Sequence, residues 1–587
     1  MDPKAIQSGE ALEAALGSPL QAHAAICFDS ALALDEQEAF PQPHLERLHA
    51  LGCFEQLIPE PFGGALRELE EAMLMSRLIS RRDLTTAIAF GQAFLGSIPV
   101  WLAGSAEQRR GAAALLREGR LACLALTEKE HGSDILSTGF RVRAQGQGFV
   151  ADGTKWLINN ATRGASLTVL CRVEREDGGA GLGLLWLRQP DGADGADAPG
   201  WQPLDKIRTL GIRGADISGL RLEAYPCGAD ALLPCPEGAL PTVLKTLQIS
   251  RVLCAGFSLG AVDTMFRLTF RFASTRELYG KLAIDIPAVR ARLARCYAGI
   301  LVADVVAQVA CRAITARPAE LSVLSAVAKF YVPSETEAIG RELALVLGAR
   351  HYVRSEYPWG VFQKQMRDSQ VVSLFDGSTQ VNLSLIAGQL RALCAKLHER
   401  LAEGPGAGWL DKAAVLLWRD GSCKGWPAQS DLRLGTGGED CLLPAFFAMR
   451  EAMRKTSPGM PSEMPPAVAQ ALSALETAVR TWLADCDAAM AQSALAPDTV
   501  MAMQLSERYI TLLACACAAL AWHLHSGVVP DYRLDDAVLL EYLAGKLPEA
   551  GIAVSDAHRQ ALVEAAGALV SGQRLLSVTD VRLADAA

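Results

Sequence analysis

The feature that most restricts the fold of this 587-residue chain is the spacing of its apolar residues, which changes twice along the sequence. From about residue 40 to residue 120 apolar residues recur at helical intervals, as in the segment Leu74–Ile79. Between about Leu121 and Leu222 they gather in short runs rich in Val, Leu and Ile, which Gly and Asp residues separate, as is typical of strands. Helical spacing returns from about Pro241. The sequence therefore predicts helices, then a small β domain, then helices again.

These changes divide the chain into four predicted domains. They are an N-terminal helical domain at 1–120, a middle β domain at 121–235, a helical bundle at 236–402 and a C-terminal helical extension at 403–587. The run Gly-Pro-Gly-Ala-Gly at 404–408 has the composition of a linker, and it marks the start of the extension.

The charge balance argues against one class of partner. The chain carries 56 Lys and Arg residues and 65 Asp and Glu residues, which gives a net charge of -9. A protein that holds nucleic acid through its phosphates needs a clustered basic surface, so no nucleic-acid partner is expected. The nine histidines show no metal-ligand spacing, and no metal site is predicted.

Three further features favour a cytoplasmic protein. Residues 1–25 lack the basic-then-apolar order of a signal peptide. The most apolar window, Ile510–Trp522, is too short to cross a bilayer, so no membrane span is expected. The 15 cysteines show no Cys-x-x-Cys spacing and are expected to be buried, reduced thiols.

A turn near the end of the predicted bundle carries the strongest chemical signal. The segment Phe375-Asp376-Gly377-Ser378-Thr379-Gln380 closely follows Met366-Arg367-Asp368. Together they resemble the base-bearing segment of the acyl-CoA dehydrogenase family, in which an aromatic-acid-Gly-Thr-x-Gln turn follows a Met-Arg-Asp run. The resemblance implies that Asp376 is the catalytic base and that the cofactor is FAD. It also implies substrate contacts for Phe375 and Gly377, and cofactor contacts for Ser378 and Gln380.

Two segments of the β domain resemble the flavin-ring site of the same family. Leu126–Asp134 is similar to its Thr-Glu-Pro-x-x-Gly-Ser-Asp loop, and Asp152–Asn160 to its Asn-Gly-x-Lys-x-Trp-Ile-Thr-Asn strand. The resemblance implies cofactor contacts for a set of residues in these segments, namely Leu126, Thr127, Gly132, Ser133, Leu157 and Asn159, of which Ser133 also contacts substrate. Trp156 lies one place before the family's aromatic position. Because a shift of one residue in a strand reverses the face, Trp156 is expected in the core.

The helical bundle contributes three more positions by resemblance. Arg276–Leu282 is similar to the family's Arg-x-x-Phe-Gly turn, so Arg276 and Tyr279 are expected to contact the flavin diphosphate and adenine of a neighbouring subunit. Gly348 corresponds to a glycine near the diphosphate. Arg251 corresponds to an arginine that lies against the thioester and its cofactor arm. A homodimer or homotetramer is therefore expected.

The resemblance covers about residues 40–401, and it implies both a fold and an activity. The implied fold is mostly α with a central β domain: an N-terminal helical domain, a middle β-barrel, a C-terminal four-helix bundle and an additional C-terminal helical domain. The implied activity is FAD-dependent α,β-dehydrogenation of an acyl thioester, either an acyl-CoA or an acyl-carrier protein. An electron-transfer partner or oxygen would take the electrons.

Asp376 departs from the family, which usually has Glu at this position. The loss of one methylene withdraws the carboxylate by about 1.5 Å, and a misplacement of about 1 Å can cost on the order of 100-fold in rate. Three interpretations stay open: a dehydrogenase with an altered substrate, a flavin oxidase that uses Asp on compounds such as nitroalkanes or a flavin monooxygenase without the base, and a weakly active scaffold. Ser250 stands where one branch of the family holds a relocated Glu, which leaves Asp376 as the candidate base.

Overall fold

The computed structural model describes most of the chain in eleven segments: 3–174, 179–190, 198–404, 406, 408–418, 423, 425–456, 464–492, 494–525, 528–529 and 532–584. Pro405 and Ala407 of the predicted linker lie outside the described residues.

Six helices form the N-terminal part: α1 (Pro3–Leu16), α2 (Phe28–Glu36), α3 (Gln42–Ala50), α4 (Leu69–Ser80), α5 (Leu84–Ala103) and α6 (Ala106–Arg117). Side chains cap the starts of three of these helices, α2, α5 and α6. Asp83 accepts hydrogen bonds from the Thr85 and Thr86 N–H groups and thereby caps α5. Helix α5 is almost entirely buried, because it runs through the middle of the protein rather than along its surface.

The middle part holds seven strands: β1 (Leu121–Ala125), β2 (Arg141–Gln145), β3 (Gly148–Asn159), β4 (Gly164–Glu174), β5 (Ala180–Arg188), β6 (Trp201–Leu204) and β7 (Ile217–Cys227). Their order in the sheet is β1-β4-β2-β3-β7-β6, and β5 pairs with β4. Strands β1 and β2 both run parallel to β4, against its first and second halves. The other pairs are antiparallel, and β3 with β7 forms the longest of them.

Six helices and a small hairpin form the bundle: α7 (Ala239–Thr275), β8 (Glu277–Leu278), β9 (Lys281–Leu282), α8 (Pro287–Ala316), α9 (Leu321–Leu347), α10 (Trp359–Ser369), α11 (Thr379–Ala387) and α12 (Leu390–Glu403). Helices α7, α8 and α9 pack against one another, and α7 also packs against α4 and α5 of the N-terminal part. The 37-residue helix α7 is therefore the central element that joins the two helical parts.

The extension adds six helices: α13 (Gly408–Leu417), α14 (Leu442–Thr456), α15 (Pro466–Ala491), α16 (Val500–His525), α17 (Asp536–Lys546) and α18 (Asp556–Ser571). They share one continuous hydrophobic core with the bundle. The chain end is tied down as well: Asp304 on α8 pairs with Arg77 at 2.8 Å and accepts a hydrogen bond from the Val578 N–H at 2.9 Å. The extension is thus packed into the protein body.

Four helices, α5, α7, α8 and α16, are long and apolar enough to cross a membrane by length and composition alone. Helix α16 is longer than the window Ile510–Trp522, so the prediction that this segment is too short is wrong. In each of the four helices, 83% or more of the most apolar stretch is buried inside the protein. Their apolar character is accounted for by this internal packing.

A buried ionic cluster joins the three parts that surround the cavities described below. Lys364 on α10 lies 2.6 Å from Asp83, at the start of α5, and 2.6 Å from Asp368 on its own helix. The second oxygen of Asp368 accepts the Ile212 N–H, from the loop before β7, at 2.6 Å. Burial alone would raise the pKa of the Asp83 carboxyl, but the charges and hydrogen bonds of Lys364 and His44 together outweigh it and hold that pKa far below its usual range.

Replacing Lys364 with Met is expected to lower the free energy of unfolding by on the order of 3–5 kcal/mol, because two buried carboxylates lose their counter-charge. Lys455→Met is the matched control: Lys455 pairs with Glu451 at the same i,i+4 spacing, but its side chain is 74% exposed against 5% for Lys364. We expect the control to change stability by less than about 0.5 kcal/mol. Urea unfolding of both variants measures the difference, and equal midpoints would contradict the role of the cluster.

Candidate active site

The turn between α10 and α11 holds Asp376 in an unusual backbone conformation. Asp376 has φ 55° and Gly377 has φ 95°, so both lie in the left-handed region. Asp tolerates this region, and Gly377 is required by a second constraint, since a Cβ there would come within 2.8 Å of the Arg251 guanidinium. Arg251 donates from Nε to the Asp376 carbonyl oxygen at 3.0 Å, and Ser378 caps α11. The position of the Asp376 side chain is therefore fixed by α7 and by the start of α11.

Three side chains surround the Asp376 carboxylate. On α7, one turn apart, Ser250 hydrogen-bonds to it and Cys254 lies with Sγ 3.7 Å from Oδ2. Lys329 on α9 is fully buried, and it donates to the carbonyls of Val372 and Gly377 within the same turn. Burial raises the pKa of the Asp376 carboxyl, while the charge of Lys329 and the hydrogen bond from Ser250 partly oppose that rise. The result is a carboxylate that is more basic than an exposed aspartate.

The backbone of this turn offers hydrogen-bond donors. Within the described residues, neither the Asp376 N–H nor the Gly377 N–H donates to another protein group. Unpaired N–H groups beside a carboxylate can hold a developing negative charge on a bound carbonyl oxygen.

A cavity of about 530 Å³ lies between the β domain and the start of the bundle. It brings together most of the residues that the sequence predicts for the site, namely Leu126, Thr127, Gly132, Ser133, Leu157, Asn159, Arg251, Phe375, Asp376, Gly377 and Ser378. Predicted cofactor residues from the β domain thus face predicted substrate residues from the bundle across one space.

A second, much smaller cavity of about 40 Å³ lies beyond Asp376, between α4, α5 and α7. Its walls are mainly apolar and include Met75, Phe94 and Phe257. Gln92, Leu95 and Asp376 line both cavities, so the two spaces meet at these residues.

A buried ion pair shapes the loop that covers the larger cavity. Lys155 on β3 is completely buried and donates to Glu128 at 2.8 Å, to Thr138 at 3.0 Å and to the Leu126 carbonyl at 2.9 Å. Burial would raise the pKa of Glu128, but hydrogen bonds from Lys155, Thr138 and the Gly139 N–H lower that pKa to about 2. Both ends of the loop that carries Gly132 and Ser133 are therefore held against the sheet.

A bulge in β3 turns Leu157 into the larger cavity. The pairing with β7 shifts between Trp156 and Ile158, and Leu157, with φ 62°, is the extra residue. Its side chain is 44% exposed. Trp156 is only half-buried and belongs to neither hydrophobic core cluster, so its expected place in the core is wrong. The bulge interrupts the two-residue alternation on which that expectation depended.

The walls of the larger cavity fit a flavin ring. Leu136, Leu157 and Leu374 present exposed apolar surface there. The side chains of Thr127, Ser133 and Asn159 make no hydrogen bond to other described residues, which leaves their polar atoms for a ligand. A Cβ at Gly132 would meet no protein atom within 4 Å, so packing within the protein does not require this glycine. Apolar walls with a few unpaired polar groups are typical of cofactor sites.

Four predicted cofactor residues lie outside the cavity. Arg276 follows the end of α7, directly before the hairpin β8–β9, and Tyr279 is 99% exposed at the tip of that hairpin. Gly348 is exposed at the end of α9, and its carbonyl accepts a hydrogen bond from His351. Gln380 is exposed and donates to the Met503 sulfur in the extension at 3.4 Å. Their assignment to FAD stays a prediction, and for Arg276 and Tyr279 it concerns a neighbouring subunit.

Sequence reasoning missed three residues that the structure places at the site: Gln92, Cys254 and Lys329. Each lies in a strongly apolar helical stretch, where an isolated polar residue was the available signal. That signal could mark the residues as unusual, but it could not say which cavity or carboxylate they face. Among the described residues, no group of three or more His, Cys, Asp or Glu side chains could hold a metal ion.

Family models match three consecutive parts of the chain. They are described as the acyl-CoA dehydrogenase N-terminal domain at residues 24–118, middle domain at 123–225 and C-terminal domain at 240–391. A human protein named short-chain specific acyl-CoA dehydrogenase, mitochondrial, is 26% identical over 375 residues, which are 62% of this chain and 86% of the human protein.

Solved structures share the fold. The structure of an acyl-CoA dehydrogenase complexed with FAD from Bacillus anthracis matches with a TM-score of 0.70 and 17% identity, covering 98% of this chain and 93% of that one. Butyryl-CoA dehydrogenase from Megasphaera elsdenii matches with a TM-score of 0.58 and 19% identity, covering 66% of this chain and 98% of that one. The first match includes the C-terminal extension.

Replacing Lys329 with Met is expected to move the acidic limb of the pH–rate profile of flavin reduction to higher pH. A carboxylate base acts only when it is deprotonated, and without the Lys329 charge the pKa of Asp376 rises further, so a reaction that used Asp376 as its base would need a higher pH for the same rate. The rate at high pH should be affected much less than the rate at low pH.

Lys245→Met serves as the control for this substitution. Lys245 is also a buried lysine that donates to a backbone carbonyl, that of Gln429 at 2.7 Å, but it does not contact the catalytic turn. The control is expected to keep the parent's acidic limb. If the acidic limb of Lys329→Met is unchanged, the charge of Lys329 does not influence the pKa of Asp376.

Proposed function

Since the chain belongs to the acyl-CoA dehydrogenase family, we propose that it oxidises an acyl thioester between its α and β carbons and that Asp376 takes the α-proton. The position of the Asp376 carboxylate, where the larger cavity meets the smaller one, carries this proposal. A thioester whose acyl chain entered the smaller cavity would pass Asp376 with the rest of its length still in the larger one.

The enzyme is an FAD-dependent oxidoreductase, as its family is. Bound FAD supplies the acceptor for the hydride that leaves the β-carbon. Thr127, Ser133 and Asn159 would hold the flavin ring, and Leu157 would pack against it. In a homodimer or homotetramer, Arg276 and Tyr279 of one subunit would bind the diphosphate and adenine in the next.

Asp376 and its backbone would share the work of proton removal. The Asp376 N–H would hold the thioester carbonyl oxygen and thereby lower the pKa of the α-proton. The carboxylate, made more basic by burial, would then receive that proton. Ser250 and Cys254 would orient the carboxylate while the proton moves.

The proposal covers CoA and carrier-protein thioesters alike, because both present the same pantetheine arm. Electrons would pass from the reduced enzyme to an electron-transferring partner. The alternative is an oxidase that uses Asp376 as its base, or a monooxygenase without that base. Either would differ from the dehydrogenase in needing oxygen as the acceptor.

Asp376→Asn is expected to abolish the anaerobic bleaching of the flavin by an acyl thioester, with a rate loss of at least about 1000-fold, because an amide cannot accept the α-proton. The FAD content of the purified variant should match the parent. Asp134→Asn is the matched control, since Asp134 is an acidic residue that lines the same cavity and takes no part in the proposed step. This control is expected to bleach at close to the parent rate.

Two results would count against the proposal. If Asp376→Asn bleaches as fast as the parent, Asp376 is not the base. If the parent keeps an oxidised flavin with every thioester tested but releases peroxide with another acidic C–H compound in air, the oxidase is the correct assignment.

A further inference from the structure

The smaller cavity contains a polar group that the proton-removal step does not use. Gln92 lies in the middle of the apolar helix α5, and only 5% of it is exposed. Its side chain makes no hydrogen bond to any other described residue, and it lines both cavities. Its amide faces the cavities rather than packed protein, so a ligand that fills this space must offer it a hydrogen-bond partner or leave it unpaired, at a cost on the order of 1–3 kcal/mol.

The other polar side chains of the smaller cavity are already satisfied. Ser76 donates to the Ala72 carbonyl at 2.8 Å. Ser250 and Cys254 are both engaged with Asp376. Gln92 therefore provides the free donors and acceptor in this space, on the path that an acyl chain would take beyond Asp376.

The size of the smaller cavity limits what can reach Gln92. It measures about 40 Å³, whereas one water needs roughly 10–15 Å³ on the same scale. The space beyond the β-carbon thus takes about three heavy atoms. A long unbranched acyl chain would not fit, which agrees with the short-chain name of the human relative.

Charge decides between a neutral and an anionic group at the end of the chain. Among the residues that the structure describes, no Lys, Arg or His side chain lines the smaller cavity, and the carboxyl group that does is that of Asp376. A substrate carboxylate would be buried beside a like charge without a counter-charge, which is unfavourable. A neutral carbonyl, hydroxyl or amide can pair with Gln92 without that cost.

We propose that Gln92 is the specificity-determining residue of the site and that the preferred acyl chain is short and carries a neutral hydrogen-bonding group near its fourth carbon. This inference rests on the proposed function, because it concerns the acyl end of the same thioester. A site built around a hydrogen bond rejects an analogue that lacks the partner, since the amide is then left unpaired.

The test compares three CoA thioesters of nearly equal shape: 4-oxopentanoyl, 4-methylpentanoyl and succinyl. They present a neutral carbonyl, a methyl group and a carboxylate at the same place. For the parent holoenzyme we expect kcat/KM for 4-oxopentanoyl to exceed that for each of the other two by about tenfold or more. Gln92→Met, which has a similar volume but no amide, is expected to favour 4-methylpentanoyl over 4-oxopentanoyl.

A second readout separates recognition from a structural role. Removing an amide that has no protein partner should leave the FAD content unchanged and should leave the midpoint of thermal unfolding unchanged or raised. A clear fall in that midpoint would show that the Gln92 amide is satisfied within the protein, and it would overturn the inference. Equal selectivity of the parent and Gln92→Met among the three thioesters would overturn it as well.

The failure of the inference can be told apart from the failure of the proposed function. If the thioesters reduce the flavin but their order does not depend on Gln92, only the inference fails. If none of the three reduces the flavin of the parent but another acyl thioester does, the inference again fails alone. If no acyl thioester reduces the flavin, the proposed function fails and the inference falls with it.

Discussion

The buried cluster of Lys364, Asp83 and Asp368 is the contact on which the geometry of the site depends. It fixes the start of α5 to α10, and through the Ile212 N–H it fixes both to the β domain. The helix that ends with this cluster leads directly into the catalytic turn. One lysine and two carboxylates therefore fix the relative positions of α5, which lines the smaller cavity, of the β domain and of the helix that leads to the Asp376 turn. The Met366-Arg367-Asp368 run contributes to the site through this structural role.

Much of the fold and part of the site could be predicted from the sequence, because they depend on local patterns. Apolar spacing predicted the order of helices and strands, and the glycine-containing turns singled out residues that the structure places around one cavity. The features that could not be predicted depend on contacts between residues that are far apart in the sequence. The bulge at Leu157 arises from the pairing of β3 with β7, and the burial of Lys155 requires Glu128. Gln92 comes to line a cavity only when α5 packs beside α7.

Asp in place of the family's Glu is matched by its surroundings. The carboxylate faces both cavities and burial makes it more basic. Ser250 and Cys254 contact it, while Lys329 holds the backbone of its turn. Asp376 is shorter than the family's Glu, and the smaller cavity measures only about 40 Å³. Both observations agree with the proposal that the substrate is a compact thioester whose α-carbon lies close to the turn. The extension packs against the bundle, and the two share one continuous hydrophobic core.

The most direct test of Asp376 as the base measures proton transfer apart from hydride transfer. Acetyl-CoA has α-protons but no β-carbon, so it can exchange protons at the site and cannot be oxidised there. We predict that the oxidised holoenzyme in D2O exchanges the α-protons of acetyl-CoA for deuterium and that Asp376→Asn with its FAD bound does so no faster than buffer. Exchange by Asp376→Asn at the rate of the parent enzyme would contradict the account.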